Sequence, residues 1–80
     1  MVISSLKNND LCVIEKVDYN NDIILNRLAD LGVVNGKMVT VVRACEKNSC
    51  ALLLIDGRLI AVSKEVANCI FVSIIKGENE

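Results

Sequence analysis

The feature that most constrains this chain is the distribution of its β-branched aliphatics. Isoleucine and valine supply 20 of 80 residues, in short clusters parted by Asn, Asp, Gly and Lys, with no proline anywhere. Short β-branched runs punctuated by turn-forming residues are the pattern of strands. The longest uninterrupted apolar run, Ala51 to Ile55 and six residues with Cys50, is far short of the ~20 that a membrane-spanning helix requires. Eighty residues make one domain, and with 52% of them apolar the interior is expected to be filled with side chains rather than hollowed into a large cavity.

The pattern predicts a first strand over Leu11 to Val17. Asn20, Asn21 and Asp22 then offer capping oxygens ahead of Ile23, Ile24, Leu25, Leu28 and Leu31, which predicts one helix from Asp22 to Leu31. Ile24, Leu28 and Leu31 share its inner face, Asn26, Arg27 and Asp30 face water, and Gly32 closes the helix. After a turn at Val34-Asn35-Gly36, alternation predicts a strand from Met38 to Cys45. Cys50 to Ile55 and Leu59 to Ser63 flank Asp56-Gly57, the signal of a type I′ hairpin. Lys64 to Ala67 is at most one helical turn, Ile70 to Ile75 is a last strand, and Lys76 to Glu80 is a polar tail. The expected domain is therefore residues 1–75, mainly β, with five strands and one helix curled into a small barrel that removes exposed edges.

Most enzyme chemistry lacks its parts. Histidine is absent, which removes the ordinary neutral-pH general base, and no serine has an evident activator. Gly32-x-x-x-Gly36-Lys37 falls one residue short of a phosphate-binding loop, and Met38 stands where that loop needs Ser or Thr. Nine basic residues against ten acidic give no field to hold nucleic-acid phosphates or anionic lipid. Lys37, Arg43, Lys47, Arg58 and Lys64 cluster in the second half among Glu46, Asp56 and Glu65, as expected of a sheet edge kept soluble. Asp18 and Asp22 flank Tyr19-Asn20-Asn21, an arrangement that suits a solvated cap and turn better than a cation site. Tyr19 and Phe71 are too few to floor a groove for proline-rich ligands.

With no export signal, the four cysteines are expected to be free thiols in a cytoplasmic protein. Cys12 and Cys69 adjoin apolar residues and read as core. Cys45 and Cys50 bracket the polar tetrad Glu46 to Ser49, so a hairpin there would set them face to face, an arrangement able to oxidise or to bind a soft metal such as iron or zinc. Finally, Ile23, Leu25, Leu52, Leu54, Ile60 and Ile75 cannot all be inside so small a body, which points to an aliphatic surface for a protein partner or a second copy.

Arg27-Leu28-x-x-Leu31-Gly32-Val33-x-x-Gly36, followed by Val39-x-Val41, resembles the FeoA family of the bacterial ferrous iron transport system. Leu6, Ile14, Val17, Asp56-Gly57 and Ala67-x-x-Ile70-x-Val72 extend the resemblance over residues 4–75. Asn35 and Asp10 stand where the family often has proline and glycine, Asn48-Ser49-Cys50 replaces a loop ending in Asp-Pro, and Val62-Ser63 replaces a Leu-Arg pair. The resemblance implies an SH3-like barrel without catalysis or a required cofactor. It also implies association with FeoB, the membrane ferrous iron permease with a cytoplasmic GTPase domain, which places the protein at the inner face of the membrane through its partner. Leu25, Arg27, Leu52 and Leu54 are the residues expected to dock. The same barrel is similar to the C-terminal domain of iron-dependent repressors, which makes a metal-binding regulatory module the second expectation; the residues themselves lead to no expected metal site, and Cys45 and Cys50 are the weak candidates for one.

Overall fold

The structure, a computed structural model, describes residues 1–47 and 49–76. Five strands, β1 (Leu11–Val17), β2 (Met38–Arg43), β3 (Ala51–Ile55), β4 (Arg58–Val62) and β5 (Ile70–Lys76), form one antiparallel sheet in the order β4-β3-β2-β1-β5. Helix α1 (Asp22–Asp30) joins β1 to β2 and the single turn α2 (Lys64–Ala67) joins β4 to β5, while a 3-10 turn over Ile3–Ser5 precedes the sheet. Among the described residues no helix is long and apolar enough to cross a membrane. Asn48 of the anticipated loop and residues 77–80 of the anticipated tail lie outside the described residues. Lys76, assigned to that tail from sequence, is the last residue of β5.

The alternation of the strands sorts the aliphatics. Cys12 and Ile14 of β1, Val39 and Val41 of β2, Leu53 and Ile55 of β3, Ile60 and Val62 of β4, and Ile70 and Val72 of β5 point inward. Leu28 and part of Ile24 complete this core from α1, Ile3 and Leu6 from the N-terminal segment, and Ala67 from α2. The period of two in the strands and of 3.6 in α1 thus converge on one interior.

α1 begins where Asn21 Oδ1 accepts from the backbone N–H groups of Ile23 and Ile24 at 3.0 and 3.2 Å. It ends one residue before the anticipated boundary, with Leu31 as its cap. Gly32, at φ +94°, donates to Ala29 O, and Val33 N–H donates to Leu28 O at 2.8 Å. This is a Schellman closure in which buried Val33 meets buried Leu28. Because the chain turns here, Leu31 is left partly exposed instead of sharing the inner face of Ile24 and Leu28.

The expected closed barrel is not formed by strand pairing. β4 and β5 are the two edges of an open order, and the sheet bends at bulges in the β1–β5 ladder and at Val42 between β2 and β3. The chain's own start covers the β5 edge: Val2 bridges Phe71, and Val72 N–H donates to Met1 O at 2.8 Å. With the N-terminal segment and α2 packed between the sheet ends, core closure is achieved by these pieces and not by a sixth ladder. The bulge at Val42 also ends β2 at Arg43, so Cys45 and Cys50, anticipated at strand ends, both sit in the β2–β3 connection.

Candidate functional site

The β3–β4 hairpin is built as the sequence demands. Asp56 and Gly57 have φ of +51° and +79°, both positive as a type I′ turn requires, and Ile55 pairs with Arg58 directly across them. That register carries Leu53 onto Ile60 and Ala51 onto Val62 on the inner side, and Leu54 onto Leu59 and Leu52 onto Ala61 on the outer side. Leu54 also stands opposite Thr40 of β2, and Thr40 opposite Leu11 of β1. Leu59, Leu54, Thr40 and Leu11 therefore form a row across four strands on the face turned away from the core. Leu59 is 62% exposed and Leu54 38%, while Met38 at 55% lies one row along on the same face.

The anticipated surface residues divide between two places. Leu52 and Leu54 lie on this outer face. Leu25, half-buried, and Arg27, exposed, lie on α1, whose Ile24 and Leu28 press on the inner side of the sheet. The core layer separates the pairs. Ile23 and Ile75 are exposed as expected, but Ile60 is only 7% exposed, because the turn register pairs it with buried Leu53. Leu59, which the sequence reading did not single out, takes the outer position instead.

The basic residues do not form one face. Lys37 is paired to Asp56 Oδ2 at 2.8 Å, the one ion pair among the described residues. Lys64 Nζ donates to Lys47 O at 3.2 Å across the β2–β3 loop. Arg43 stands opposite Leu52, and Arg58 flanks the hairpin turn. Both aromatic side chains are engaged: Lys16 Nζ lies 4.9 Å from the centre of the Phe71 ring, and Tyr19 O–H donates to Glu65 at 3.2 Å.

Cys12 is buried, as expected, and its thiol donates to Val39 O at 3.6 Å. Burial, reinforced by Asp10, pushes it up to about 11. Cys69 is half-buried. The β2–β3 loop folds back through Ser49 N–H to Glu46 O at 2.7 Å and Glu46 N–H to Ser49 Oγ at 2.8 Å. The loop brings half-buried Cys45 near exposed Cys50. Burial raises the Cys45 thiol and Cys50 adds to that, while Lys64 and the Ala51 backbone N–H oppose it. Among the described residues no three of His, Cys, Asp and Glu gather where they could hold a metal ion. Asp18 and Asp22 serve a turn and a helix start: Asp18 N–H donates to Cys69 O, and Asp22 is the first residue of α1.

Comparison with known proteins gives the site its setting. A family model described as the FeoA domain matches residues 1–74. The FeoA protein of Chlorobium tepidum is 28% identical, with a TM-score of 0.86 over 98% of this chain and 73% of that one. The FeoA of Stenotrophomonas maltophilia is solved in complex with zinc and described as a prokaryotic SH3 domain protein and candidate activating factor of ferrous iron transport. It is 28% identical, with a TM-score of 0.79 over 91% of this chain and 89% of that one. The IdeR of T. acidophilum is 30% identical over 92% of this chain, which matches 33% of that one with a TM-score of 0.78. No curated protein matches the sequence.

Proposed function

The chain belongs to the FeoA domain family, and on that footing we propose that it is a non-catalytic, cytoplasmic accessory protein of ferrous iron transport that docks on a FeoB-type permease and modulates it. The observation that carries this reading is the outer row of the sheet. Exposed Leu54 and Leu59 and half-buried Leu52 lie side by side on two adjacent strands, away from the core, with Arg43 opposite Leu52 at their margin. Adjacent exposed aliphatics with a charge at their margin are the composition of a protein-binding patch. Half-buried Leu25 and exposed Arg27 on α1 lie across the core from this row, so they make a separate candidate contact. Nothing in the arrangement supplies a nucleophile with its base, so the patch binds and does not transform.

The test is binding to the purified cytoplasmic domain of the permease. Leu54→Asp and Leu52→Asp should each weaken it at least about tenfold, since each removes ~1.5 kcal/mol or more of apolar burial and inserts a charge. Leu25→Asp and Arg27→Glu report on the helix contact in the same assay. Unchanged affinity in all four variants sinks the proposal.

A second reading, a metal-binding regulatory module akin to the C-terminal domain of iron-dependent repressors, draws on the place of Cys45 and Cys50 in one connection and on the zinc in the Stenotrophomonas maltophilia structure. Two thiols leave a tetrahedral ion half ligated, so an outside ligand or a second copy would complete it. Titration with zinc or ferrous ion under reducing conditions decides between the readings. Equal affinity in the Cys45→Ser, Cys50→Ser double variant dismisses these ligands.

A further inference from the structure

The two edges of the sheet differ. That of β5 is occupied by Met1 and Val2, whereas among the described residues no strand lies beyond β4. The type I′ turn makes Ile55 and Arg58 a hydrogen-bonded pair, and alternation gives the same standing to Leu53 with Ile60 and Ala51 with Val62. Leu59 and Ala61 consequently direct both their N–H and C=O groups away from β3. None of these four groups bonds to any other backbone group among the described residues.

Edge strands are commonly blunted by proline, a bulge or an inward-pointing charge. The β3–β4 ladder runs through five consecutive pairs without a register shift, and β4 holds none of these devices. Its surroundings select a partner. Arg58 and Lys64 stand at its two ends and Arg43 two strands away, in register with Leu52 and hence with Ala61. The nearby acids are engaged, Asp56 by Lys37 at 2.8 Å and Glu65 by Tyr19 at 3.2 Å. The side chains beside the open groups, Leu59 and Ala61, are apolar and exposed.

We infer that β4 is a docking edge for an extended segment of a partner protein, apolar in its middle and acidic at its ends, which adds a sixth strand beside Arg58–Val62. Four main-chain hydrogen bonds to Leu59 and Ala61 supply the attachment. Leu59 and Ala61 receive its outward apolar side chains, and Arg58 and Lys64, at the strand ends, its terminal carboxylates. A second copy of this chain fits less well, because its own β4 brings the cations Arg58 and Lys64 to the seam. The inference rests on the reading of the chain as a docking module and names the form of the segment docked.

The probe is a seven-residue peptide, acetylated and amidated, with valine and threonine alternating between terminal glutamates, added to the full chain labelled with nitrogen-15. Saturating peptide is expected to slow exchange of the Leu59 and Ala61 amide protons at least about tenfold, leaving the already bonded Ile60 and Val62 little changed. A peptide ending in lysines should bind at least about tenfold more weakly at low salt, and the difference should shrink as salt rises. Ala61→Pro removes an outward N–H without touching the β3–β4 bonds and should abolish binding. If the proline variant does not fold, the same peptide N-methylated on its central amides, which cannot pair with the edge, should fail to bind, and equal binding overturns the inference. Unchanged exchange at both amides, or equal binding of the glutamate-ended and lysine-ended peptides, overturns it too. So does protection that grows with protein concentration in peptide-free samples, which assigns the edge to a second copy. If the permease domain binds while the peptide does not, the edge inference fails and the docking function stands. The reverse result leaves the edge intact and removes the permease.

Discussion

The Asp56 carboxylate, at the tip of the β3–β4 hairpin, lies beside Gly32, at the end of α1: a Cβ on Gly32 would stand 3.2 Å from Asp56 Oδ2 and 3.2 Å from Ile55 Cγ2. Helix end and hairpin turn thus abut through the one residue type without a side chain to interpose. Gly32 is also at φ +94°, where an L-residue is strained. Gly32→Ala therefore meets both penalties, about 1–2 kcal/mol from the left-handed backbone and a further share from crowding. Gly36 and Gly57 have positive φ but nothing within 4 Å of an added Cβ, so alanine there meets the backbone cost alone. Thermal unfolding should rank Gly32→Ala below the other two. At ~4–8 °C per kcal/mol for a domain of this size the separation is measurable.

The same carboxylate accepts from Lys37 Nζ at 2.8 Å, tying the entry to β2 onto the hairpin. Both side chains are substantially exposed, 41% and 51%, and exposed pairs of this kind contribute at most about 1 kcal/mol. Asp56 has a second duty at φ +51°, a backbone shape that Asn shares. Asp56→Asn should therefore cost no more than about 1 kcal/mol, with a loss that fades in high salt. Asp56→Val, which removes the pair and strains the turn, should cost clearly more at every salt concentration. Denaturant melts at two ionic strengths separate the two contributions.

The strands, the helix and the hairpin were legible because each carried its own local chemistry: clustered Ile and Val, capping oxygens before Ile23, Gly32 after Leu31, Asp56-Gly57 between aliphatic runs. Edge and closure were not. Met1 to Leu6 shows neither helical nor strand periodicity, yet it covers β5, because a single bridge and a short 3-10 turn leave no periodic mark. The bulge at Val42 is equally silent in a run of Val39, Thr40, Val41 and Val42, and it is what withdraws Cys45 from β2. The outer-face position of Leu52 and Leu54 follows from strand alternation. Leu59 was missed for Ile60, although the signal was present: a two-residue turn pairs Ile55 with Arg58, and counting outward puts Ile60 on buried Leu53 and Leu59 on Leu54.

α1 depends on one side chain for its start. Asn21 Oδ1 serves the Ile23 and Ile24 N–H groups together, so Asn21→Ala leaves both to water and should destabilise the fold by about 1 kcal/mol. Asn21→Asp keeps the acceptor and adds a charge favourable at a helix N-terminus, so it should be neutral or slightly stabilising. Leu28 and Ile24 hang from this helix into the core, so the loss appears in global unfolding and not only in fraying at the helix start. Denaturation midpoints for the two variants check the contrast.

Cys12 makes stability depend on alkaline pH. Its thiol is held from an ordinary 9.0 up to about 11, first by burial and then by Asp10. The folded chain therefore keeps a proton that the unfolded chain gives up. Above pH 9 the unfolded state binds fewer protons, so stability falls as pH rises, and it goes on falling until the folded thiol itself ionises near 11. Two units correspond to about 2–3 kcal/mol, fully present below pH 9 and lost across that window. Other groups contribute to the pH dependence of the whole chain, so the informative quantity is the difference from Cys12→Ala. That variant starts less stable because of the cavity it leaves, yet it should decline less steeply between pH 9 and 11, so the two stability curves converge. Parallel curves would show that this thiol is not held protonated by the fold. Alkylation at pH 8 gives an independent reading: exposed Cys50 should react first, and Cys12 only at the rate of unfolding.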